Sequence, residues 1–326
     1  MPLRARVLLA ILFGGLVLLP AVAGWAGEPF WVRLVTRMLI LALAALSLDL
    51  ILGLAGLISF GHAAFVGVGA YVVGMSFQAV TAGGWPGLEL AWVRWPLAAL
   101  VAGLVALPIG ALCLRTRGIA FIMITLAFAQ MLYFLLTGLR VVGGQDGIAL
   151  WTRARLPPFD LADDGVFYFV CLALLVVALF LAARLSGSRF GRVLRGVREN
   201  EARTAALGIE TNRCLLVAFA LAGALAGLAG ALLAEATYFV SPAFLHWSRS
   251  GELIAVVVLG GVGTLYGPVL GAGLFLLLEE LLPPALAGLH PALGEHWRIV
   301  FGPILILVVL FARRGLWGLI AGSERT

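Results

Sequence analysis

Charged side chains, which could do chemistry or bind a partner, are densest in one polar segment, residues 184–213, which lies between two long apolar stretches. The segment contains seven arginines and three glutamates. A lipid-spanning helix would not hold so many charges, because each costs about 2.5–3.5 kcal/mol at the membrane centre on the insertion scale. The segment is therefore expected to lie in water. Its excess of arginine indicates the cytoplasmic side.

The polar segment has the pattern of short helices rather than of a bare tether. Apolar residues recur at helical spacing from Phe190 onward, and a second short run ends at Gly208, a favourable C-cap residue. Two i,i+4 pairs, Arg195–Glu199 and Glu199–Arg203, are expected to stabilise these helices by about 0.2–0.5 kcal/mol each. Short helices are marginal alone in water, so the apolar face must pack against something. The segment is either a solvated loop that only sets topology or a docking surface for a cytoplasmic partner.

Composition excludes several classes of protein. The chain is 63% hydrophobic and 12% charged, whereas a soluble domain is about 25% charged, so a polytopic membrane protein is indicated. All 22 basic residues are arginine, which excludes a Walker A loop with its phosphate-binding lysine. The net charge of +6 fits the positive-inside bias rather than nucleic-acid binding. The three cysteines and four histidines are scattered without metal-site or disulfide spacing. No catalytic residue, metal site or enzyme activity is expected.

The apolar runs predict an all-α polytopic membrane protein with about ten transmembrane helices and both termini cytoplasmic. Most arginines fall in the segments that this topology places inside, and the outer segments hold more of the acids. The first run is a retained span or, alternatively, a signal peptide with a cleavage site at residues 21–23. The predicted spans are residues 7–23, 34–53, 63–80, 96–114, 119–137, 166–183, 214–238, 253–262, 269–282 and 297–312.

Two glycine-rich stretches, residues 53–71 and 251–282, predict broken or re-entrant segments. The first break is expected around residues 59–62 and the second at the turn 263–268. Irregular backbone at membrane depth is tolerated only where it is buried or lines a cavity. Asp49, close to the first break, is either a buried hydrogen-bonding residue or part of a path. Side chains at the breaks are candidates for a translocation path, and each is equally compatible with simple packing: Ser59, Phe60, His62, Thr264 and Tyr266.

Five stretches of the sequence carry a resemblance to known proteins: residues 54–71, 115–131, 137–148, 188–232 and 240–272. Together, and in this order along the chain, they resemble one family, the LivM-type permease subunits of branched-chain amino acid ABC importers. The chain departs from the family pattern at Gln130, where the family usually has an acidic residue. That departure argues against a charged path residue at this position.

The resemblance implies a single transmembrane permease domain over residues 1–326 in the bacterial inner membrane. It implies three kinds of partner: a second homologous permease, two cytoplasmic ATPase subunits and a periplasmic substrate-binding protein. ATP and Mg²⁺ would be bound by the ATPase subunits, so no cofactor is expected in this chain. The polar segment would then be the cytoplasmic coupling loop that docks on the ATPase. The coupling residues that the resemblance implies are Phe190, Arg192, Arg195, Arg198, Glu199, Asn200, Glu201, Leu207 and Gly208.

The function that follows from the resemblance is ATP-driven import of branched-chain, hydrophobic amino acids along a path shared with the second permease. The alternative is a self-contained secondary transporter or channel for amino acids or for small amides such as urea. That alternative requires ion-coupling carboxylates deep in the membrane, and it leaves the polar segment without a role. The candidate carboxylates mostly fall near the ends of spans: Asp49, Glu235, Glu279 and Glu280.

Overall fold

The computed structural model describes residues 3–288, 296–297, 299–303, 306 and 315–321. These residues form a bundle of long helices, as their apolar sequences predict. The helices are α1 (Leu3–Ala26), α2 (Pro29–Ala55), α3 (His62–Thr81), α4 (Ala91–Cys113), α5 (Ile119–Gly138), α6 (Asp164–Gly187), α7 (Arg189–Glu199), α8 (Glu201–Ala206), α9 (Thr211–Thr237), α10 (Trp247–Gly260), α11 (Gly267–Ala287) and α12 (Gly315–Ala321).

Seven helices in this described part are long and apolar enough to cross a membrane: α2, α3, α4, α5, α6, α9 and α11. The prediction of an all-α polytopic membrane protein is therefore confirmed. Helix α10 has 14 residues and a length of about 21 Å, which is shorter than the hydrocarbon core of about 30 Å. Helix α1 contains a shorter apolar portion, Ile11–Trp25. The last predicted span, residues 297–312, lies largely outside the described residues.

Helix α9 lies at the centre of the bundle, where it packs against α2, α3 and α4, and α3 also packs against α4. Small residues let these helices approach closely. A Cβ added at Gly223 would lie 2.6 Å from the Cβ of Ala106, and one added at Gly227 would overlap the Cβ of Ala102. Gly69 of α3 packs against the backbone of Gly227 from the other side. The Gly223–Gly227 pair is therefore a close-packing face of α9.

Both predicted helix breaks are present, and each begins a few residues before its predicted position. Helix α2 ends at Ala55 and Gly56 follows in the left-handed conformation (φ +73°), so residues 56–61 are not helical. Helix α10 ends at Gly260, and the turn before α11 contains Gly263 at φ +75°. A side chain other than glycine is strained at these angles. The first break thus starts at Gly56 rather than around residues 59–62, and the second starts at Gly261 rather than at residue 263.

The loop between α5 and α6 closes the end of the bundle that lies opposite α7 and α8. Its strand β1 (Ile148–Ala149) pairs antiparallel with β2 (Phe239–Val240), an element that the sequence analysis does not predict. The almost fully buried guanidinium of Arg153 anchors the loop. It donates to the carbonyl oxygens of Glu235 and Leu161 at 3.2 and 2.7 Å, and to Asp164 Oδ1 at 2.7 Å.

Candidate coupling site

The polar segment folds into two short capped helices, α7 and α8, as the sequence predicts. Ser188 Oγ accepts a hydrogen bond from the backbone N–H of Gly191 at 3.2 Å, which caps the start of α7. Asn200 ends α7 and caps α8, because its Oδ1 accepts from the N–H of Arg203 at 2.8 Å. Short polar side chains at these positions satisfy N–H groups that have no partner within a helix.

The two predicted i,i+4 ion pairs are absent from the described residues, so this part of the prediction is wrong. Arg195 Nη2 donates instead to the carbonyl of Ser186 at 3.0 Å. Asn200 separates Glu199 on α7 from Arg203 on α8, so these two residues do not share one helix. The short helices are held by packing and caps rather than by their own charge pairs.

Helix α7 lies against the bundle with its apolar face. Leu194 and Val197 are buried, and Phe190 and Val193 are partly buried against the same core. Arg192 on the other face is exposed. The sequence periodicity therefore assigned the two faces correctly, and the apolar face provides the packing that such a short helix needs.

Arg198 joins α7 to the first helix break. Its Nη1 donates a hydrogen bond to the carbonyl oxygen of Gly53, in the last turn of α2. The stem of the arginine covers Gly56, where an added Cβ would lie 3.0 Å from Arg198 Cγ. A Cβ added at Gly263 would lie 3.5 Å from Arg198 Nη1. One side chain of the polar segment thus contacts the end of α2 and lies next to the turn between α10 and α11.

The two breaks also contact each other directly. Asp49 Oδ1 accepts a hydrogen bond from the N–H of Gly263 at 2.8 Å, so Asp49 is the buried hydrogen-bonding residue of the two alternatives. A Cβ added at Gly53 would lie 2.5 Å from Gly263 Cα and 2.7 Å from Asp49 Oδ1, so only glycine fits there. We call Asp49, Gly53, Gly56, Arg198 and Gly263 the coupling junction. It brings α7, α2 and the α10–α11 turn together at one point.

A second contact fixes α8 to the turn between α4 and α5. Arg117 binds the carboxylate of Glu201 with two N–H groups on one edge of its guanidinium, at 2.8 Å (Nε–Oε2) and 2.6 Å (Nη2–Oε1). Arg117 also donates to Asn212 Oδ1 at 2.6 Å, and Thr211 Oγ1 donates to Glu201 at 3.3 Å. The hydrogen bonds from Arg117 lower the pKa of Glu201, and the same pairing raises the pKa of Arg117. Glu201 therefore positions α8 within the chain.

Most of the coupling residues named from the sequence form an outward-facing surface. Leu207 is 76% exposed at the tip of this surface, which is unusual for a large apolar side chain. Phe190, Arg195 and Glu201 are only partly exposed and hold the segment in place. A mixed charged and apolar surface of this kind suits a protein partner. The exposed members are Arg192, Arg198, Glu199, Asn200, Leu207 and Gly208.

The predicted path residues belong to two separate places. At the first break, Ser59 and His62 are fully buried, and His62 Nε2 lies 2.8 Å from Ser47 Oγ. Within the described structure, Ser59 Oγ and His62 Nδ1 have no hydrogen-bond partner. Phe60 is partly buried beside them.

At the second break, Thr264 Oγ1 donates to the carbonyl of Gly261 at 2.6 Å. The ring of Tyr266 lies 5.3 Å from that of Trp317 on α12. No contact recorded among the described residues joins these two side chains to Ser59, Phe60 or His62. A role of the five residues in a path stays a prediction.

A buried ion pair accounts for one of the carboxylates that the sequence singles out. Glu235 Oε1 lies 3.7 Å from Arg94 Nη1, and both side chains are almost completely buried. Arg94 lies before the predicted span 96–114, whereas the structure places it in the first turn of α4. A buried carboxylate such as Glu235 needs a partner of opposite sign, and Arg94 is an arginine close to a predicted span that could supply it. Asp49 and Glu235 are therefore engaged within the chain, and Glu280 is exposed.

The described residues form a polytopic helical bundle in which two broken helices meet a charged helical segment, and the family match identifies this bundle as a membrane permease. Residues 30–309 match the family described as branched-chain amino acid transport system / permease component, and the chain belongs to this family. This finding confirms the resemblance identified from the sequence. No solved structure shows a significant match to the chain.

Curated relatives agree with this assignment. The chain is 29% identical over 309 residues to the high-affinity branched-chain amino acid transport system permease protein LivM of Salmonella typhimurium, covering 87% of this chain and 69% of the relative. It is 28% identical to LivM of Escherichia coli K12 over the same coverage. It is also 25% identical over 289 residues to the permease protein LivH of Escherichia coli K12, covering 85% of this chain and 91% of LivH. Two kinds of permease thus align along most of this chain.

Proposed function

We propose that the chain is the membrane permease subunit of an ATP-driven importer for branched-chain, hydrophobic amino acids. Family membership and the printed names of LivM and LivH support this substrate class. The coupling junction is the observation that carries the mechanism, because an exposed helical segment reaches both broken helices through Arg198. In this proposal the chain performs no chemistry itself.

In the proposed topology the chain has ten spans, both termini are cytoplasmic, and residues 184–213 are the cytoplasmic coupling loop. Two ATPase subunits bind ATP and Mg²⁺ and press on the exposed face of α7 when they close. A second permease completes the translocation path, and a periplasmic binding protein delivers the amino acid. The five path candidates at the two breaks lie where such a path would need irregular backbone.

The contacts of α7 and α8 explain how force would reach the path. The apolar face of α7 and the Arg117–Glu201 pair fix the loop to the bundle, so a displacement of the loop also displaces the helices that it contacts. Arg198 then acts on the carbonyl of Gly53, and the Asp49–Gly263 hydrogen bond passes the displacement to the turn after α10. Closely packed elements of this kind switch between discrete arrangements rather than deforming gradually.

Co-purification tests the proposal. The tagged permease is expressed together with the second permease and the ATPase, solubilised in detergent and captured. The variant Arg192→Glu/Leu207→Asp alters the exposed surface, whereas Arg140→Glu alters an exposed arginine on the loop at the opposite end of the bundle. We expect wild type and Arg140→Glu to recover both partners, and the double variant to recover the second permease without the ATPase.

Two results would contradict the proposal. If wild type recovers no ATPase, and the permease alone takes up leucine in response to an ion gradient, the chain is a secondary transporter. If the double variant keeps the ATPase, the exposed face of α7 and α8 is not the docking surface.

A further inference from the structure

A cavity of about 180 Å³ lies between α2, α3, α9, α10 and α11. Its walls are mainly apolar and come from all five helices, with Leu41, Val66, Leu233, Leu253 and Phe275 as representative residues. The cavity reaches the surface beside Arg37, whose side chain is exposed. An engineered cavity of about 150 Å³ with similar walls binds benzene, so this space suits one hydrophobic side chain of the size of leucine.

Four charged side chains line the same cavity, and their formal charges cancel. Arg249 and Glu252 form an ion pair with each other at 2.7 Å. Arg37 on α2 and Glu279 on α11 have no hydrogen bond or ion pair within the described structure. Charged residues inside membrane spans are expensive, and they generally face a cavity or a substrate path. One unpaired cation and one unpaired anion beside apolar walls match a zwitterion with a hydrophobic tail.

We infer that this cavity is a binding subsite for the zwitterionic form of a hydrophobic amino acid. The carboxylate of the amino acid binds Arg37, its ammonium group binds Glu279, and its side chain lies between Leu41, Leu233 and Phe275. The inference deepens the proposed function and rests on it for the class of substrate. It assigns recognition to this chain in addition to the binding protein that delivers the substrate.

The cavity and the coupling junction share two structural elements. Helix α2 lines the cavity at Arg37 and carries Asp49 and Gly53 at its other end. Helix α10 lines it at Glu252 and leads into the turn that contains Gly263. A displacement of these two elements at the junction therefore changes the walls of the cavity. The geometry connects the proposed binding subsite to the proposed coupling site without an additional element.

Protection of a cysteine label tests the inference on the assembled complex in nanodiscs, without the binding protein. Thr237 lines the cavity and is exposed, so Thr237→Cys accepts a maleimide; Cys214→Ser removes the cysteine that is only partly buried. We expect L-leucine to slow labelling several-fold. Leucinamide, which lacks the carboxylate, and 4-methylpentanoate, which lacks the ammonium group, are expected to give no protection at equal concentration.

Matched neutral variants identify the charges involved. Glu279→Gln and Arg37→Gln are each expected to raise the leucine concentration for half-protection about tenfold or more, because each removes one charge-assisted hydrogen bond. Glu280→Gln and Arg33→Gln change exposed residues near these two but outside the cavity lining. In both variants the leucine concentration for half-protection is expected to equal that of the parent protein.

The outcomes separate this inference from the proposed function. ATP-driven leucine uptake by the same complex with its binding protein is measured in parallel. Uptake together with labelling that leucine does not slow would overturn the subsite and leave the importer proposal standing. Equal protection by 4-methylpentanoate or leucinamide would also overturn it, since recognition would then not involve both charges. Leucine protection without any ATP-driven uptake would retain the subsite and contradict the importer proposal.

Discussion

The closest backbone contact of the coupling junction predicts a large effect for the smallest possible substitution, Gly53→Ala. The added methyl group would lie 2.5 Å from Gly263 Cα, 2.7 Å from Asp49 Oδ1 and 2.8 Å from Gly263 N. Two of these atoms belong to the backbone, so α2 and the α10–α11 turn must separate. The separation lengthens the Asp49–Gly263 hydrogen bond and shifts the carbonyl that Arg198 binds.

The expected magnitude follows from two opposing effects. Forcing one extra methyl group into a packed contact costs about 1–3 kcal/mol. Alanine in a helix interior is favoured over glycine by up to about 1 kcal/mol, which offsets part of that cost. Gly273→Ala on α11 is the matched control, because its Cβ would meet only the flexible end of Met38, at 3.4 Å. We expect Gly53→Ala to lower stability and Gly273→Ala to leave it unchanged or slightly raised.

The assay compares the thermal unfolding midpoints of the three purified proteins in one detergent, followed by uptake per ATP hydrolysed in proteoliposomes. Gly53→Ala is expected to have the lowest midpoint and a reduced uptake-to-hydrolysis ratio. A midpoint equal to or above that of Gly273→Ala would refute the claim that α2 and the turn are in tight contact. Normal coupling despite a lower midpoint would show that the junction only stabilises the fold.

Three further predictions concern the charged contacts. Arg198→Lys keeps the charge but loses the guanidinium donor, so the ATPase is expected to co-purify normally while uptake per ATP falls; a normal ratio would remove Arg198 from the coupling route. Glu201→Gln is expected to lower the unfolding midpoint near pH 7. Because pairing lowers the pKa of Glu201, this difference should shrink only as the pH falls below about 4.3, and a constant difference would contradict the pairing. Glu235→Gln leaves the buried guanidinium of Arg94 without its counter-ion and is expected to cost about 3–5 kcal/mol, as measured by unfolding, whereas Arg94→Met/Glu235→Gln should recover much of that loss.

The parts of the fold that the sequence predicts well are those set by local patterns. Long apolar runs give the helices, and dense glycine gives the two breaks. Periodic apolar residues give the buried face of α7. Each of these signals depends on residues that lie within a few turns of one another, so one sequence is enough to read them.

The parts that the sequence does not predict depend on residues far apart in the chain. Asp49 and Gly263 are 214 positions apart, and Arg117 and Glu201 are 84 positions apart. The β1–β2 ladder has only two residues in each strand, which is too short for a pattern. The cavity joins side chains from five helices. Such contacts are set by how the helices pack, which local periodicity does not determine.

The separation of Arg37 and Gly53 along α2 makes this helix a lever arm. They are 16 positions apart, which corresponds to about 24 Å of straight helix. A tilt of about 5° about the junction would move the Arg37 end by about 2 Å, roughly the difference between a formed and a broken ion contact. A small angular change at the coupling junction is thus sufficient to alter the proposed binding contact at the opposite end of α2.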